Sequence, residues 1–168
     1  MKKVILFFLL ATFLIGCGKS KVEYRKELIS ASDSIYEMAV LSSALSDNYI
    51  EVWRTAIYDK TYGGRYVSDF NEALTEHKAF TKSQPVFWEY CSKRERMDSV
   101  IRTLKDYPSS CKEEYDELIS IYADVDEMCR NAIDPSGSLQ SYSNSVRTNY
   151  DNVQKKLKEF KVKYGNDE

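Results

Sequence analysis

The chain has 168 residues, with 24 Lys and Arg against 26 Asp and Glu, one His and four Cys. That length supports one domain with a substantial core and leaves little room for a second. The near-balanced charge provides no concentrated basic surface for phosphate neutralisation, so nucleic acid is not an expected partner.

The chain opens with Met1, Lys2 and Lys3, followed by an apolar run from Val4 to Ile15 and then Gly16. As a helix this run would reach about 18 Å, well short of the roughly 30 Å hydrocarbon core of a bilayer, so it does not span. A positive start, an apolar stretch and a small residue before a cut describe an export signal. A plain secretory cut after Gly16 would want a small residue where Leu14 stands. Leu14-Ile15-Gly16-Cys17 instead resembles the lipobox of bacterial lipoproteins. The resemblance covers only this segment. It implies removal of residues 1–16, diacylation of Cys17, a short tether over 17–21 and a single domain over 22–168. It also implies lipid anchoring on the extracytoplasmic side of the cell envelope. By the same resemblance, Gly18 in place of Asp points to the outer membrane where the host has one. Several acyl chains on one Cys hold a protein on a membrane essentially permanently. Without Lys2 and Lys3 the charge balance is −4.

From Val22 to about Tyr58 no Gly or Pro interrupts, and Leu28, Ala31, Ile35, Met38, Ser42, Leu45, Tyr49, Val52 and Ala56 recur in steps of three and four. This predicts one long helix that needs a partner along most of its length. Gly63 and Gly64 end it in a turn. Helical spacing resumes through Tyr66, Phe70, His77 and Phe80, and again through Phe87, Met97, Ile101 and Leu104. Pro85 either starts a fresh helix at its first turn or kinks a continuous one, and the matching lengths favour a kinked partner over 66–106. Ser110 and Glu113 form a Ser-x-x-Glu capping box ahead of a third helix with Cys111, Tyr115, Leu118, Tyr122, Val125, Cys129 and Ala132 on one face. A fourth begins near Ser136 or Ser138 and aligns Leu139, Tyr142, Val146, Tyr150, Val153, Leu157, Phe160 and Tyr164. The expected fold is all-α: an antiparallel up-down-up-down bundle of two long helices, one kinked at Pro85, and two shorter ones.

In an oxidising compartment two of the remaining cysteines are expected to bridge. A hairpin turning at 107–108 favours Cys91 with Cys129 and leaves Cys111 unpaired, since a disulfide needs Cα atoms within roughly 7 Å. The spacing of these thiols matches no zinc pattern, and neither a metal nor a cofactor is expected. His77 has no carboxylate three or four residues away on its helix and makes a poor general base. The acidic residues from Glu113 to Glu127 lie inside a continuous helical pattern and lack the order of a calcium loop. No nucleophile elbow, zinc motif, P-loop or dinucleotide fingerprint is present, so no enzyme activity is expected.

Thirteen Tyr exceed what a plain Leu/Ile bundle needs. Tyr62, Arg65 and Tyr66, around Gly63-Gly64, form a candidate protein or glycan contact at one end of the bundle. The Lys-rich stretch from Lys155 to Lys163 reads as a helix end whose cations complement the dipole, or else as a surface for anionic headgroups. The favoured function is a membrane-tethered interaction or accessory module whose partner is an envelope protein. A small-ligand or sensor domain with a pocket between helices is the alternative, and an envelope hydrolase ranks below both.

Overall fold

The computed structural model describes residues 19–165, so the signal segment and Cys17 lie outside the described residues. The fold is all-α: α1 (Lys21–Tyr58), α2 (Phe70–Ser83), α3 (Pro85–Thr103), α4 (Lys112–Ile133) and α5 (Leu139–Tyr164), with a two-stranded hairpin of β1 (Thr61–Tyr62) and β2 (Arg65–Tyr66). Among the described residues no helix is long and apolar enough to cross a membrane.

Helix α1 is 38 residues long and touches every other helix. At 1.5 Å per residue it measures about 57 Å. Ser20 starts it with a capping box, its hydroxyl accepting from the Glu23 N–H while the Glu23 carboxylate accepts from the Ser20 N–H. The predicted stripe is buried at Leu28, Ala31, Ile35, Met38, Ser42, Tyr49 and Ala56, but Ser32, Ala39, Ser46 and Trp53 are buried as well. Leu45 and Val52 are only partly covered. A helix contacted on several sides buries a face three residues wide, where a one-partner stripe buries two.

Specific contacts fix how the elements meet. Tyr24 in α1 donates to the Leu104 carbonyl at 2.8 Å, and Ser42 and the Tyr90 hydroxyl of α3 are 2.9 Å apart. Between α1 and α4, Arg25 donates to Glu114 at 2.8 Å and Ser42 lies 3.3 Å from the Cys129 thiol. Lys161 of α5 pairs with Asp33 at 2.5 Å, and the Tyr142 ring lies 6.1 Å from that of Trp53. Lys156 reaches Asp124 at 2.6 Å and Tyr142 donates to the Asn131 carbonyl at 3.1 Å, joining α5 to α4. Tyr24, Leu28, Ile35, Leu118, Val125, Val153 and Phe160 belong to the main core cluster. Each buried side chain of this kind contributes about 1.5–3 kcal/mol.

Three expectations are corrected. Residues 66–106 are not one kinked helix: Gln84 is extended (φ −85°, ψ 141°), ends α2 and precedes Pro85 at the first position of α3. Proline pushes the residue before it out of the helical region, so the break falls at Gln84. The Ser110–Glu113 capping box does not form, because a 3-10 turn over Ser109–Cys111 makes Cys111 the N-cap of α4. The Cys91–Cys129 disulfide is absent, since Cys91, Cys111 and Cys129 are all free. Pairs between α3 and α4 such as Arg94–Asp126 and Asp98–Tyr122 bring residue 91 level with 129. However, Tyr90 takes the inward position, its hydroxyl donating to the Cys129 carbonyl at 3.4 Å. Cys91 is turned about 100° further round the helix.

Candidate functional site

The break at Gln84 separates α2 from α3, and beside it the face of α1 is left partly uncovered. Leu41, Ala44, Leu45 and Asn48, spaced by three and four, form one wall of a cleft of about 250 Å³, and Thr81, Val86, Phe87 and Tyr90 form the other. Glu89 and Lys93 supply its charges. Near the break three large apolar side chains lie open to solvent: Phe80 at 57%, Val86, in the cleft wall, at 67%, and Trp88, about 200° round α3 from Val86, at 63%. Trp88 stands edge-on to Phe87, with ring centroids 6.1 Å apart. Large apolar groups scattered singly on a surface carry no message, but an open apolar cleft with the exposed Val86 in its wall marks a contact site.

Beneath the cleft, Tyr90, Ser42 and Cys129 form a buried polar cluster. Burial pushes both the Tyr90 phenol and the Cys129 thiol up, so both stay protonated at neutral pH. Cys91, half-buried, is also shifted up by burial. None of these groups is an activated nucleophile. Among the described residues no three His, Cys, Asp or Glu side chains group as metal ligands would.

The hairpin builds a different surface. Gly63 and Gly64 have φ of 57° and 78°, the two positive values that a tight hairpin turn demands. Thr61 pairs with Tyr66 and Tyr62 with Arg65. The three residues singled out in the sequence separate here. Tyr62 turns inward, its hydroxyl 3.4 Å from His77 Nδ1. The Arg65 guanidinium is ion-paired with Glu76 and, at 3.7 Å, with Glu72. Arg65, though paired, is exposed, and Tyr66 is open at 72%, as is Tyr58 at 73%.

Towards the start of α1, Glu114 is buried against Arg25, with Lys21 at 3.8 Å. Burial raises its carboxyl, but the Arg25 bonds and the nearby cations outweigh that and hold it below the usual range. This cluster fastens α1 to α4.

Sequence reasoning missed the cleft. Phe80 reads in the sequence only as part of a helical spacing, and Leu41, Ala44 and Asn48 belong to no expected site. The available signal was the Gln-Pro break flanked by Phe80, Phe87 and Trp88, three large rings that one partner helix cannot cover at once. Compared with protein families, curated proteins and solved structures, the chain matches none.

Proposed function

We propose that the chain is a lipid-anchored, extracytoplasmic helical bundle acting as a protein-interaction or accessory module of the bacterial cell envelope. Cys17 bears the lipid, and the outer membrane is its site where the host has one. The cleft walled by Leu41, Leu45, Phe87 and the exposed Val86 carries the reading, because an open apolar cleft that can take a partner's side chain is a usual centre of a protein interface. In this reading the bundle is antiparallel and up-down-up-down, α2 and α3 together forming the second rod. Residue numbers fall against each other from Tyr24–Leu104 to Ser42–Tyr90, from Asp33–Lys161 to Trp53–Tyr142 and from Asp124–Lys156 to Asn131–Tyr142, and rise together from Arg25–Glu114 to Ser42–Cys129. The hairpin with Tyr58 and Tyr66 then lies at the end of α1 remote from Cys17.

In-cell photo-crosslinking from position 86 tests this. A single envelope protein captured from 86, absent when the probe stands at exposed Thr103 and lost in the Ala44→Leu variant, is the expected result. Equal capture from 86 and 103 would defeat the proposal. A second reading, favoured by the cleft itself, is a small-ligand pocket. Mass spectrometry of the intact protein extracted from membranes would then show an added small-molecule mass that disappears in Ala44→Leu.

A further inference from the structure

Helix α2 is seated unevenly on α1. Of its 14 residues only Ala73 and Thr81 are buried. The first half is held by apolar packing, with Phe70 stacked on Trp53 at 6.2 Å and Leu74 against the same cluster. The second half holds no buried apolar side chain. Ala79, Phe80, Lys82 and Ser83 are exposed, Lys78 reaches out to Asp134 at 2.5 Å, and His77 and Thr81 turn inward. Thr81 is part of the cleft wall. The extended Gln84 follows directly, so these last two turns are able to unwind without disturbing α3.

His77 stands in the middle of a hydrogen-bonded chain that runs from the hairpin to the cleft. Its Nδ1 is 3.4 Å from the Tyr62 hydroxyl and its Nε2 3.5 Å from that of Thr81, which also bonds the Tyr49 phenol. A neutral imidazole accepts at one nitrogen and donates at the other, so the chain passes through it in one direction. A protonated ring donates at both, and the chain must reverse on one side of it. No carboxylate is bonded to the ring to offset the added charge. Tyr49 faces it from α1 and Tyr62 from β1. Glu76, next to it in α2, is taken by Arg65 of β2, and Asp134, after α4, by Lys78. Burial is what sets its proton affinity, and burial lowers it.

We propose that residues 77–83 form a flap on the cleft, seated while His77 is neutral and released when His77 takes up a proton. Released, the flap withdraws Thr81 from the cleft wall, so the cleft holds its occupant at neutral pH and lets it go in acid. This rests on the reading of the cleft as a contact site. In the released flap the imidazole titrates near its ordinary value of about 6.5. Seating is therefore complete above that value and is lost as the pH falls through the lower value of the seated ring.

Hydrogen exchange on the full-length protein purified from membranes reads the flap directly, with protection corrected for the intrinsic rate at pH 7.5 and 5.5. Expected at pH 5.5 is a fall in protection over residues 77–83 of roughly threefold or more, where one unit of difference between the two states would give tenfold. Protection in α4 and α5 stays unchanged, and His77→Gln shows no such fall. Unchanged protection over 77–83, an equal fall in His77→Gln, or a fall spread evenly over α4 and α5 overturns the flap. The parent's own profile decides this even where the variant does not fold. Crosslinking from position 86 in cells held at pH 7.5 and 5.5 reads the cleft. Capture lost at pH 5.5 in the parent and kept in His77→Gln is expected. Equal capture at both pH values, with the flap released, overturns its control of the cleft. No capture at either pH, with protection lost as expected, defeats the contact reading of the cleft and leaves the flap standing.

Discussion

His77 is set between two tyrosines, edge-on to Tyr49 at 4.9 Å and to Tyr62 at 6.1 Å, with Nε2 3.5 Å from the Thr81 hydroxyl. Burial pushes its imidazole below the usual histidine value. The folded state therefore takes up this proton less readily than the unfolded state. The stability His77 contributes is complete above the ordinary value of about 6.5 and is lost as the pH falls through it. It is the only histidine in the chain, so the decline between pH 7 and pH 5.5 belongs to it and precedes the carboxylates. Urea midpoints should fall over that range in the parent protein and stay flat in His77→Gln; equal slopes would remove His77 from the account. Lys60 is the other residue under local constraint. It has a φ of 56°, follows the C-cap Asp59, and its carbonyl accepts from the Val67 N–H at 2.9 Å. Glycine is the residue that position favours, so Lys60→Gly should stabilise by about 0.5–1 kcal/mol in urea titration despite its greater unfolded-state freedom.

At the scale of elements, helix starts separate what was legible in the sequence from what was not. The long periodic stripes gave four of the helical rods, and Ser138 does cap α5, accepting from the Ser141 N–H while the Ser141 hydroxyl accepts from the Ser138 N–H. The same residue type at Ser110 misled, because Cys111 is drawn into the core and tightens the turn before α4; Ser110 comes no nearer than 3.9 Å to the Cys111 sulfur. Ser138→Ala should cost about 1 kcal/mol in thermal or urea unfolding, and Ser110→Ala almost nothing. A comparable loss at both positions would restore the capping box that the fold discards. The candidate site follows the same division. Tyr62, Arg65 and Tyr66 were visible as a cluster because they adjoin a glycine pair, yet spacing along a chain says nothing about which ring turns inward. The disulfide failed for a related reason: the register of α3 on α4 was readable from the hairpin, but the rotation that puts Tyr90 inward and Cys91 aside depends on the whole core.

At the scale of the molecule, α1 is the hub, and its small residues explain how four helices crowd round it. Ala31, Ser32, Ala39, Ser42 and Ser46 are all buried along it, and among the described residues no buried side-chain polar atom lacks a partner. Small side chains let neighbouring helices approach on several sides, while hydroxyls such as that of Ser32, bonded to the Ile29 carbonyl at 2.7 Å, satisfy themselves within the helix. Along the cleft this crowding stops, where α2 ends and α3 begins opposite Ala44. Two alanines five residues apart on the same helix therefore differ in what they tolerate. Ala39 is wholly buried in the main core cluster, and Ala39→Leu must displace packed neighbours at a cost of about 1–3 kcal/mol. Ala44 is exposed in the cleft wall, and Ala44→Leu should leave the urea midpoint within about 0.5 kcal/mol of the parent while filling the opening. Paired unfolding curves decide it. A large loss at Ala44 would mean that the cleft closes in solution and the hub is enclosed on every side. A silent Ala44→Leu that also blocks crosslinking from position 86 would show that the opening is kept for a partner and that the fold does not need it.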